Sequence, residues 1–374
     1  MEGKAKAKKA IVKLDEKKID EIIMQLYEVD PGSHKHRVKT HDNCIPGSFI
    51  ITWLQEKKFA KDKDDAQKTA QTLLHRLAIY DVLERTNTSF SSKELYNLSV
   101  RNVEYGAMNM DKVWGDEEVG DTLTLSIDLL TDIIKLVHDK KLDFPAIRTS
   151  KEFVQLSLRI CALQKCKLES LTYGSKEAFW LNIHSFMVLY THCRLSPPQS
   201  AADRQLLHEK CYFAIAKSHF TISEVRNKVL LGLVPFPSKD KRATVVVGEK
   251  DPHRRVLFLM GIADGTLDTP AFFVFNPSNL EKKLQDSGRM FMHEDVRIDD
   301  HDLKIHCPRL VQRFSKDFGL KSDEVMEIIT KWLVPTQAKK IRDQPGFELA
   351  YDETKKDACY AFDPEIVGES AETA

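Results

Sequence analysis

A run near the middle of the chain, residues 179–185, places three polar side chains inside an otherwise apolar stretch. They belong to Asn182, His184 and Ser185, and they follow two aromatic residues. The surrounding residues 176–193 carry apolar side chains at helical spacing, which predicts a helix with a buried face. Because an unpaired polar group costs free energy when it is buried, these three groups either make structural hydrogen bonds or form part of a functional site.

Composition excludes several classes of protein. The chain has 374 residues, which is enough for two or three domains. Lys+Arg and Asp+Glu are equal at 56 each, so the whole chain presents no net positive charge to nucleic acid. No apolar run reaches the roughly 18–20 residues that a membrane-spanning helix needs. The seven cysteines are scattered and contain no CxxC pair, which disfavours a zinc site or a disulfide framework and predicts a reduced, cytoplasmic protein.

The N-terminal part of the chain predicts a small α+β domain. Residues 1–14 predict a basic flexible tail, and residues 15–105 hold the domain itself. Its first helix is expected at 15–28, from the spacing of isoleucine and leucine. Two more helices follow, and two strands at 80–84 and 95–100 flank a polar loop. Helices followed by a β-hairpin are typical of a winged helix.

Short motifs in this domain occur in a characteristic order. They are the segment 35–48 (KHRVKTHDNCIPGS), Trp53-Leu54, Asp65-Ala66, Leu73-Leu74, Phe90 and Leu95-Tyr96. In this order they resemble the DEP domain, the module found in Dishevelled and pleckstrin. The resemblance implies a winged-helix domain that binds a membrane surface or a protein partner in signal transduction.

Three basic residues at the start of this region are the candidate binding residues. Lys35, Arg37 and Lys39 alternate along a segment predicted to be extended, so we expect their charges on one side. A basic residue near an anionic membrane contributes about 1 kcal/mol of attraction. The predicted partner is an anionic membrane surface or a signalling protein, and a solvated face is the structural alternative. DNA is excluded, because the candidate recognition helix opens with three aspartates within residues 62–65, which would repel phosphate.

The rest of the chain predicts a second, larger domain. Residues 106–120 predict a linker, residues 121–355 a mixed α+β domain, and residues 356–374 a C-terminal tail. Within this domain, short runs of β-branched and aromatic residues at 244–247 and 256–259 predict two strands.

This second domain also carries motifs in a fixed order. The most specific is A-F-W-x-N at residues 178–182. The later pieces are 220–225, 251–254, Gly261, Thr269-Pro270, Asn279-Leu280, 307–310, Asp317-Phe318 and Tyr351-Asp352. Together they resemble the domain of unknown function 547 family over residues 121–355. That family occurs fused behind DEP domains, and the resemblance implies a fold distantly related to papain-like or transglutaminase-like cysteine enzymes.

The same resemblance implies a site that is altered in this chain. In the family pattern a cysteine or serine precedes the proline, where this chain has Thr269. The family's glutamate and histidine fall on Arg226 and Asn227, and neither of these side chains acts as a base. Acyl transfer of the cysteine-enzyme type needs a nucleophile, a base and an orienting group. The departures therefore predict a pseudoenzyme, a domain that keeps its fold without its ancestral chemistry.

Three residues remain as weak catalytic candidates: Asn182, His184 and Thr269. His184 is either a general base or a core histidine that donates to a backbone carbonyl. Asn182 either orients a catalytic group or bridges buried backbone. Cys307 follows His306, but adjacent residues on one segment point apart, so this pair is not expected to act together.

The sequence therefore favours a signal-transduction adaptor in the cytoplasm, peripheral at membranes, with a DEP binding module and a non-catalytic second domain. The alternative is a hydrolase or acyltransferase of the cysteine-enzyme type, which works through a rearranged site near His184. The acidic residues within 295–302 match no calcium-loop spacing, and we expect neither a metal nor a cofactor.

Overall fold

Helices account for most of the regular structure, and three small sheets complete it. The computed structural model describes residues 16–36, 39–76, 78–83, 87–98, 106–115, 118–198, 200–247, 251–266 and 268–351. The chain divides into two compact units. The first unit contains residues 1–104, 109–117 and 148–162, and the second unit contains residues 105–108, 118–147 and 163–374. The predicted tails at 1–14 and 356–374 lie outside the described residues.

The helices and strands are named in chain order. The helices are α1 (Glu16–Tyr27), α2 (Gly47–Glu56), α3 (Lys63–His75), α4 (Thr122–Asp139), α5 (Phe144–Thr149), α6 (Lys151–Arg159), α7 (Tyr173–Leu195), α8 (Ala201–Lys210), α9 (Ile222–Glu224), α10 (Pro252–Leu259), α11 (Leu280–Asp295), α12 (Arg309–Phe318), α13 (Ser322–Trp332) and α14 (Pro335–Asp343). The strands are β1 (Gly32–His36), β2 (Lys39–Pro46), β3 (Ile79–Asp81), β4 (Leu95–Leu98), β5 (Tyr212–Ile215), β6 (Ser218–Thr221), β7 (Arg297–Asp299), β8 (Lys304–Cys307) and β9 (Glu348–Tyr351). A π-helix, Val225–Leu230, continues directly from α9.

The first unit packs helices against an antiparallel sheet of order β1-β2-β4-β3. Its core is formed by apolar residues of α1, α2 and α3, which have the predicted helical spacing and are buried. Asp62 caps α3, because its carboxylate accepts a hydrogen bond from the Asp65 amide at 2.8 Å. The predicted strands at 80–84 and 95–100 correspond to β3 and β4, whereas the β1–β2 hairpin was not predicted.

Gly47 allows α2 to begin directly against the turn that precedes β4. Its amide donates to the Glu94 carbonyl at 2.8 Å. A Cβ atom at this position would lie 2.4 Å from the Ser91 carbonyl oxygen, which is closer than real Cβ contacts come. A side chain is therefore excluded by backbone atoms, and this accounts for the glycine in the Gly-Ser motif at residues 47–48.

The second unit is built around α7, whose residues from Glu177 to Arg194 are all buried. Helix α4 packs along α7. The Trp180 ring lies 5.3 Å from the Phe179 ring and 5.0 Å from the Phe220 ring, measured between centroids. The hairpin β5–β6 and the sheet β7-β8-β9, in which β8 and β9 run parallel, are the two sheets of this unit. A helix buried on all sides explains why polar residues of α7 must find partners inside the protein.

Two strand predictions in the second unit were wrong. Residues Lys241–Val245 form a 3₁₀ turn that is capped by Asp240, and the run at 256–259 lies in α10. Helix α10 begins with Asp251 as its cap and Pro252 in its first turn. These two helix-start signals decide the structure of the run at 256–259. The run is too short for its β-branched and aromatic composition to specify a strand.

The predicted linker contains residues that pack closely. Ala107 forms a parallel bridge with Tyr212 in the second unit. In the first unit Asn109 donates to the Ile160 carbonyl at 3.3 Å, and Lys112 pairs with Asp20 at 2.8 Å. Residues 106–120 therefore belong partly to the first unit, at 109–117, and partly to the second. No helix in the described part of the chain is long and apolar enough to cross a membrane.

Candidate functional site

Asn182 bridges buried backbone. Its side-chain amide donates to the Phe275 carbonyl at 2.8 Å, and its side-chain oxygen accepts from the Phe275 amide at 2.8 Å. The same amide lies 3.4 Å from the Ser126 hydroxyl on α4. Asn182 is fully buried, and it pairs with Phe275 as a neighbouring strand would. Its bonds hold the irregular segment 271–276 against α7 and involve no catalytic group.

His184 is fully buried, and neither of its ring nitrogens has a hydrogen-bond partner among the described residues. Burial lowers the pKa of this imidazole to about 3, and repulsion from His208 and Arg226 acts in the same direction. The side chain is therefore neutral at pH 7. A general base must lie within hydrogen-bond reach of the proton that it removes. The described residues place no thiol or hydroxyl in that position.

Thr269 is part of a hydrogen-bonded loop. Its hydroxyl donates to Oδ1 of Asp264 at 2.9 Å, and the Thr266 hydroxyl donates to the same oxygen at 2.8 Å. The Asp264 amide in turn donates to the Thr269 hydroxyl at 3.3 Å. The proton of the Thr269 hydroxyl is thus directed at a carboxylate rather than at an imidazole.

Asp264 connects this loop to a group of charged side chains. One of its oxygens lies 3.6 Å from Arg204 on α8. Burial would raise the pKa of the Asp264 carboxyl, but Arg204, His208 and the two hydroxyls outweigh burial and hold the pKa below its usual range. Burial lowers the pKa of His208 to about 4, so this imidazole is also neutral at pH 7.

Arg226 lies on the π-helix, a wide turn that is common at functional sites. Its guanidinium donates to the side-chain oxygen of Asn227 at 2.7 Å, and its positive charge disfavours protonation of His184 and His208. Burial, followed by repulsion from Arg313, lowers its pKa. The structure thus gathers His184, Arg226 and Thr269 around Asp264.

Sequence reasoning missed Asp264, Arg204 and His208 as parts of this cluster. The tripeptide Asp264-Gly265-Thr266 is a turn signal and could have indicated that a carboxylate is held in a loop here. Arg204 and His208 stand one turn apart on α8, and no motif marks them.

The cysteines within the described residues offer no activated thiol. The six cysteines within the described residues are all buried. Burial raises the pKa of Cys161, Cys166 and Cys307 to about 12 and that of Cys211 to about 11. His306 and Cys307 are consecutive residues of β8, so their side chains lie on opposite faces of the sheet, as predicted.

The acidic residues within 295–302, which match no calcium-loop spacing, form a turn. The Asp299 side chain accepts hydrogen bonds from the amides of His301, at 2.9 Å, and Asp302, at 3.1 Å. Within the ranges that the structure describes, no three His, Cys, Asp or Glu side chains are placed to hold a metal ion.

The basic residues of the first unit lie on the β1–β2 hairpin. Lys35 is opposite Thr40, and Lys39 is opposite His36. Because paired residues share a face and successive residues alternate, Lys35 and Lys39 point to opposite faces, and the one-sided arrangement expected from their spacing was wrong for this pair. Both side chains are exposed. Arg37 lies outside the described residues.

Comparison with protein families identifies the central part of the second unit. The model of the family described as "Protein of unknown function, DUF547" matches residues 168–292. No curated protein and no solved structure matches the chain. The chain therefore contains a DUF547 domain, as the A-F-W-x-N motif predicted, in a segment shorter than residues 121–355. This segment includes α7, the π-helix and the loop from Asp264 to Thr269.

Replacing Asn182 tests its role as a backbone bridge. We expect Asn182→Ala to lower the free energy of unfolding by about 2–5 kcal/mol, because it leaves the Phe275 amide and carbonyl buried without their partner. Urea unfolding followed by circular dichroism measures the change. Ser185→Ala is a matched control on the same helix, since the Ser185 hydroxyl is buried and has no hydrogen-bond partner among the described residues. Equal losses in the two variants would contradict the bridging role.

The buried histidines predict a loss of stability in mild acid. The pKa is lowered to about 3 for His184 and His192 and to about 4 for His208, chiefly by burial, whereas an unfolded histidine titrates near 6.5. The unfolded chain therefore binds more protons below pH 6.5. Full stability is present above that pH and is lost as the pH falls towards the folded values, by about 1.4 kcal/mol per histidine at pH 5.5.

The variant His184→Leu should weaken this pH dependence. Comparing urea unfolding at pH 7.5 and pH 5.5, we expect the loss in His184→Leu to be smaller by about 1.4 kcal/mol than in the unchanged chain. His138→Gln, at an exposed position of α4, is the control. A pH dependence equal to that of the control would show that His184 does not contribute.

Proposed function

We propose that this chain is an intracellular signalling adaptor. In this proposal a DEP module in the first unit binds an anionic membrane surface or a protein partner, and the DUF547 domain acts as a non-catalytic interaction module. The observation that carries the proposal is the environment of His184. Within the described residues, no thiol or hydroxyl that could serve as a nucleophile is hydrogen-bonded to this imidazole.

The topology of the first unit supports the DEP assignment. Three helices, α1 to α3, pack with a sheet in which β4 is central between β2 and β3, and β3 and β4 pair as a wing. Two residues of the motifs that resemble a DEP domain lie where close contacts or burial restrict the side chain. Gly47 is required by a backbone contact, and Tyr96 is fully buried with its hydroxyl accepting from the Ser91 amide at 2.8 Å.

The position of the basic residues suggests how such a module would meet a membrane. Lys35 and Lys39 lie near the end of the β1–β2 hairpin and point to its two faces. A flat surface can attract both charges at once only if the end of the hairpin, rather than one face, approaches it. We therefore propose that the hairpin end carries the contact with anionic lipid, in which each basic residue contributes about 1 kcal/mol.

The chemistry of the second unit favours an interaction role over the alternative of a hydrolase or acyltransferase. A hydroxyl needs strong base activation to act as a nucleophile. The Thr269 hydroxyl is bonded to Asp264, whose lowered pKa makes it a weak base. Arg226, a cation, stands where the family pattern carries a carboxylate, and the described thiols are buried.

Charge reversal on the hairpin tests the membrane contact. In co-sedimentation with phosphatidylserine-containing vesicles, we expect the triple variant Lys35→Glu, Arg37→Glu, Lys39→Glu to bind at least about tenfold more weakly, because three attractive charges become repulsive. The triple variant Lys57→Glu, Lys58→Glu, Lys61→Glu changes the net charge equally at exposed positions of the same unit and should bind nearly as well as the unchanged chain. Equal binding by both variants would remove the membrane version of the proposal.

Thiol reactivity tests the non-catalytic assignment. Cys359 lies outside the described residues, so the experiment uses Cys359→Ser. We expect the six remaining thiols of this variant to react with iodoacetamide at least about 100-fold more slowly in the native state than in urea, because all six are buried and burial raises the pKa of Cys161, Cys166, Cys211 and Cys307. Mass spectrometry of the labelled peptides measures each thiol. One thiol that reacts faster natively than in urea would favour the enzyme alternative.

A further inference from the structure

A surface groove in the second unit lies between α11 and α13. Two adjoining cavities of about 260 Å³ and 500 Å³ form it, and Lys331 and Trp332 line both of them. Glu281, Gln285 and His293 border the groove at intervals of four or eight residues, so they lie on one face of α11. From Glu281 to His293 the helix advances about 18 Å. This is the length of five or six residues of extended peptide.

The floor of the groove is apolar, and its central ring is held in place. Trp332 and Leu333 are buried, whereas Met290, which lines the larger cavity with them, is 48% exposed. The Trp332 indole N–H donates to the side-chain oxygen of Gln285 at 2.8 Å. A Cβ atom at Gly288 would lie 2.7 Å from the same ring, so the glycine lets α11 approach the indole closely. The groove thus has a fixed apolar floor that reaches solvent at Met290.

The larger cavity is also lined by basic side chains. They belong to Arg289, His293 and Lys331, and among the described residues no carboxylate lines this cavity. Arg289 is paired with Asp286 and Lys331 with Glu327, each at 2.8 Å and one helical turn away. Because both pairs are exposed, they contribute little, and a carboxylate of a bound peptide can replace either partner. The larger cavity therefore matches a peptide with apolar and acidic side chains.

A segment of this chain has that chemistry. Residues 357–367 (DACYAFDPEIV), which lie outside the described residues, contain three carboxylates and no basic side chain. Four large apolar side chains accompany them, those of Tyr360, Phe362, Ile366 and Val367. Removing these side chains from water against the floor of the groove is favourable.

The segment is long enough to reach the groove. The described chain continues to Tyr351 in β9, a strand that contacts α13. Helix α13 has 11 residues. Its length is about 16 Å. Residues 352–361 span up to about 33 Å when extended. Phe362 is therefore within reach of either end of α13.

We infer that segment 357–367 of this chain binds in the groove between α11 and α13. The apolar side chains of the segment pack on the floor at Met290 and Trp332, and its carboxylates pair with Arg289 and Lys331. The inference goes beyond the proposed adaptor function, which requires neither the groove nor the segment.

Disulfide trapping in the full chain, with diamide as the oxidant, tests the inference. Cys359 lies in the segment, and the six cysteines within the described residues are buried, so a cysteine placed in the groove can pair with Cys359 selectively. In Met290→Cys we expect the disulfide between position 290 and Cys359 to form at least about tenfold faster than the disulfide between position 138 and Cys359 in His138→Cys, because binding raises the effective concentration of the segment at the groove. His138 is exposed on α4 and lines neither cavity. Non-reducing electrophoresis and mass spectrometry measure the linkage.

The apolar and charged contacts are tested separately in the Met290→Cys chain. Adding Phe362→Ser and Ile366→Ser should slow trapping to the rate in His138→Cys, since the apolar contacts are lost. Adding Arg289→Glu and Lys331→Glu should slow trapping at least about threefold, because the carboxylates of the segment are then repelled. The matched control is Lys210→Glu with Lys282→Glu, which changes the net charge equally at exposed positions and should leave the rate unchanged.

Three outcomes would overturn the inference. The first is an equal trapping rate in Met290→Cys and His138→Cys, which is the result for a segment that does not bind in the groove. The second is a trapping rate that Phe362→Ser with Ile366→Ser leaves unchanged. The third is a disulfide that joins two chains, seen as a covalent dimer, because the groove then takes the segment of a second copy and not its own.

Discussion

The pair of hydrogen bonds between Asn182 and the Phe275 backbone determines how the second unit is assembled. Helix α7 has no solvent-facing side over most of its length, so it can contact other segments only through buried groups. An amide is the side chain that offers a donor and an acceptor together, and it can therefore satisfy both backbone groups of one residue. With Phe275 held in this way, the loop from Asp264 to Thr269, which lies just before it in the chain, is kept close to α7.

The polar groups of the same region differ in how they are satisfied. Asn182 and Thr269 are fully engaged in structural hydrogen bonds, whereas His184 has no partner among the described residues. Burial keeps that imidazole neutral, since a charged one would require a compensating anion. Asp264 is ionised because Arg204 and two hydroxyls stabilise it. The charged groups in this region are thus ordered by pairing around one carboxylate.

Local signals in the sequence were sufficient for some elements and insufficient for others. The helices of the first unit and the A-F-W-x-N segment are specified within short stretches, and the structure contains them. The runs at 244–247 and 256–259 were misassigned because a run of only four residues does not define a period. The β1–β2 hairpin lacks a strong turn signal. The Asp264 cluster could not be predicted, because its members come from α8, the π-helix and a loop, and only the folded chain brings them together.

The arrangements of Thr269, His184 and Arg226 are physically consistent with one another. A base and a nucleophile work only as a pair, so a hydroxyl bonded to Asp264 leaves an imidazole such as His184 with no proton to remove. Beside the Arg226 cation a neutral imidazole is favoured over a protonated one, since two adjacent cations repel. Among the described residues, neither the His184 imidazole nor the Thr269 hydroxyl is therefore placed as one half of a base–nucleophile pair.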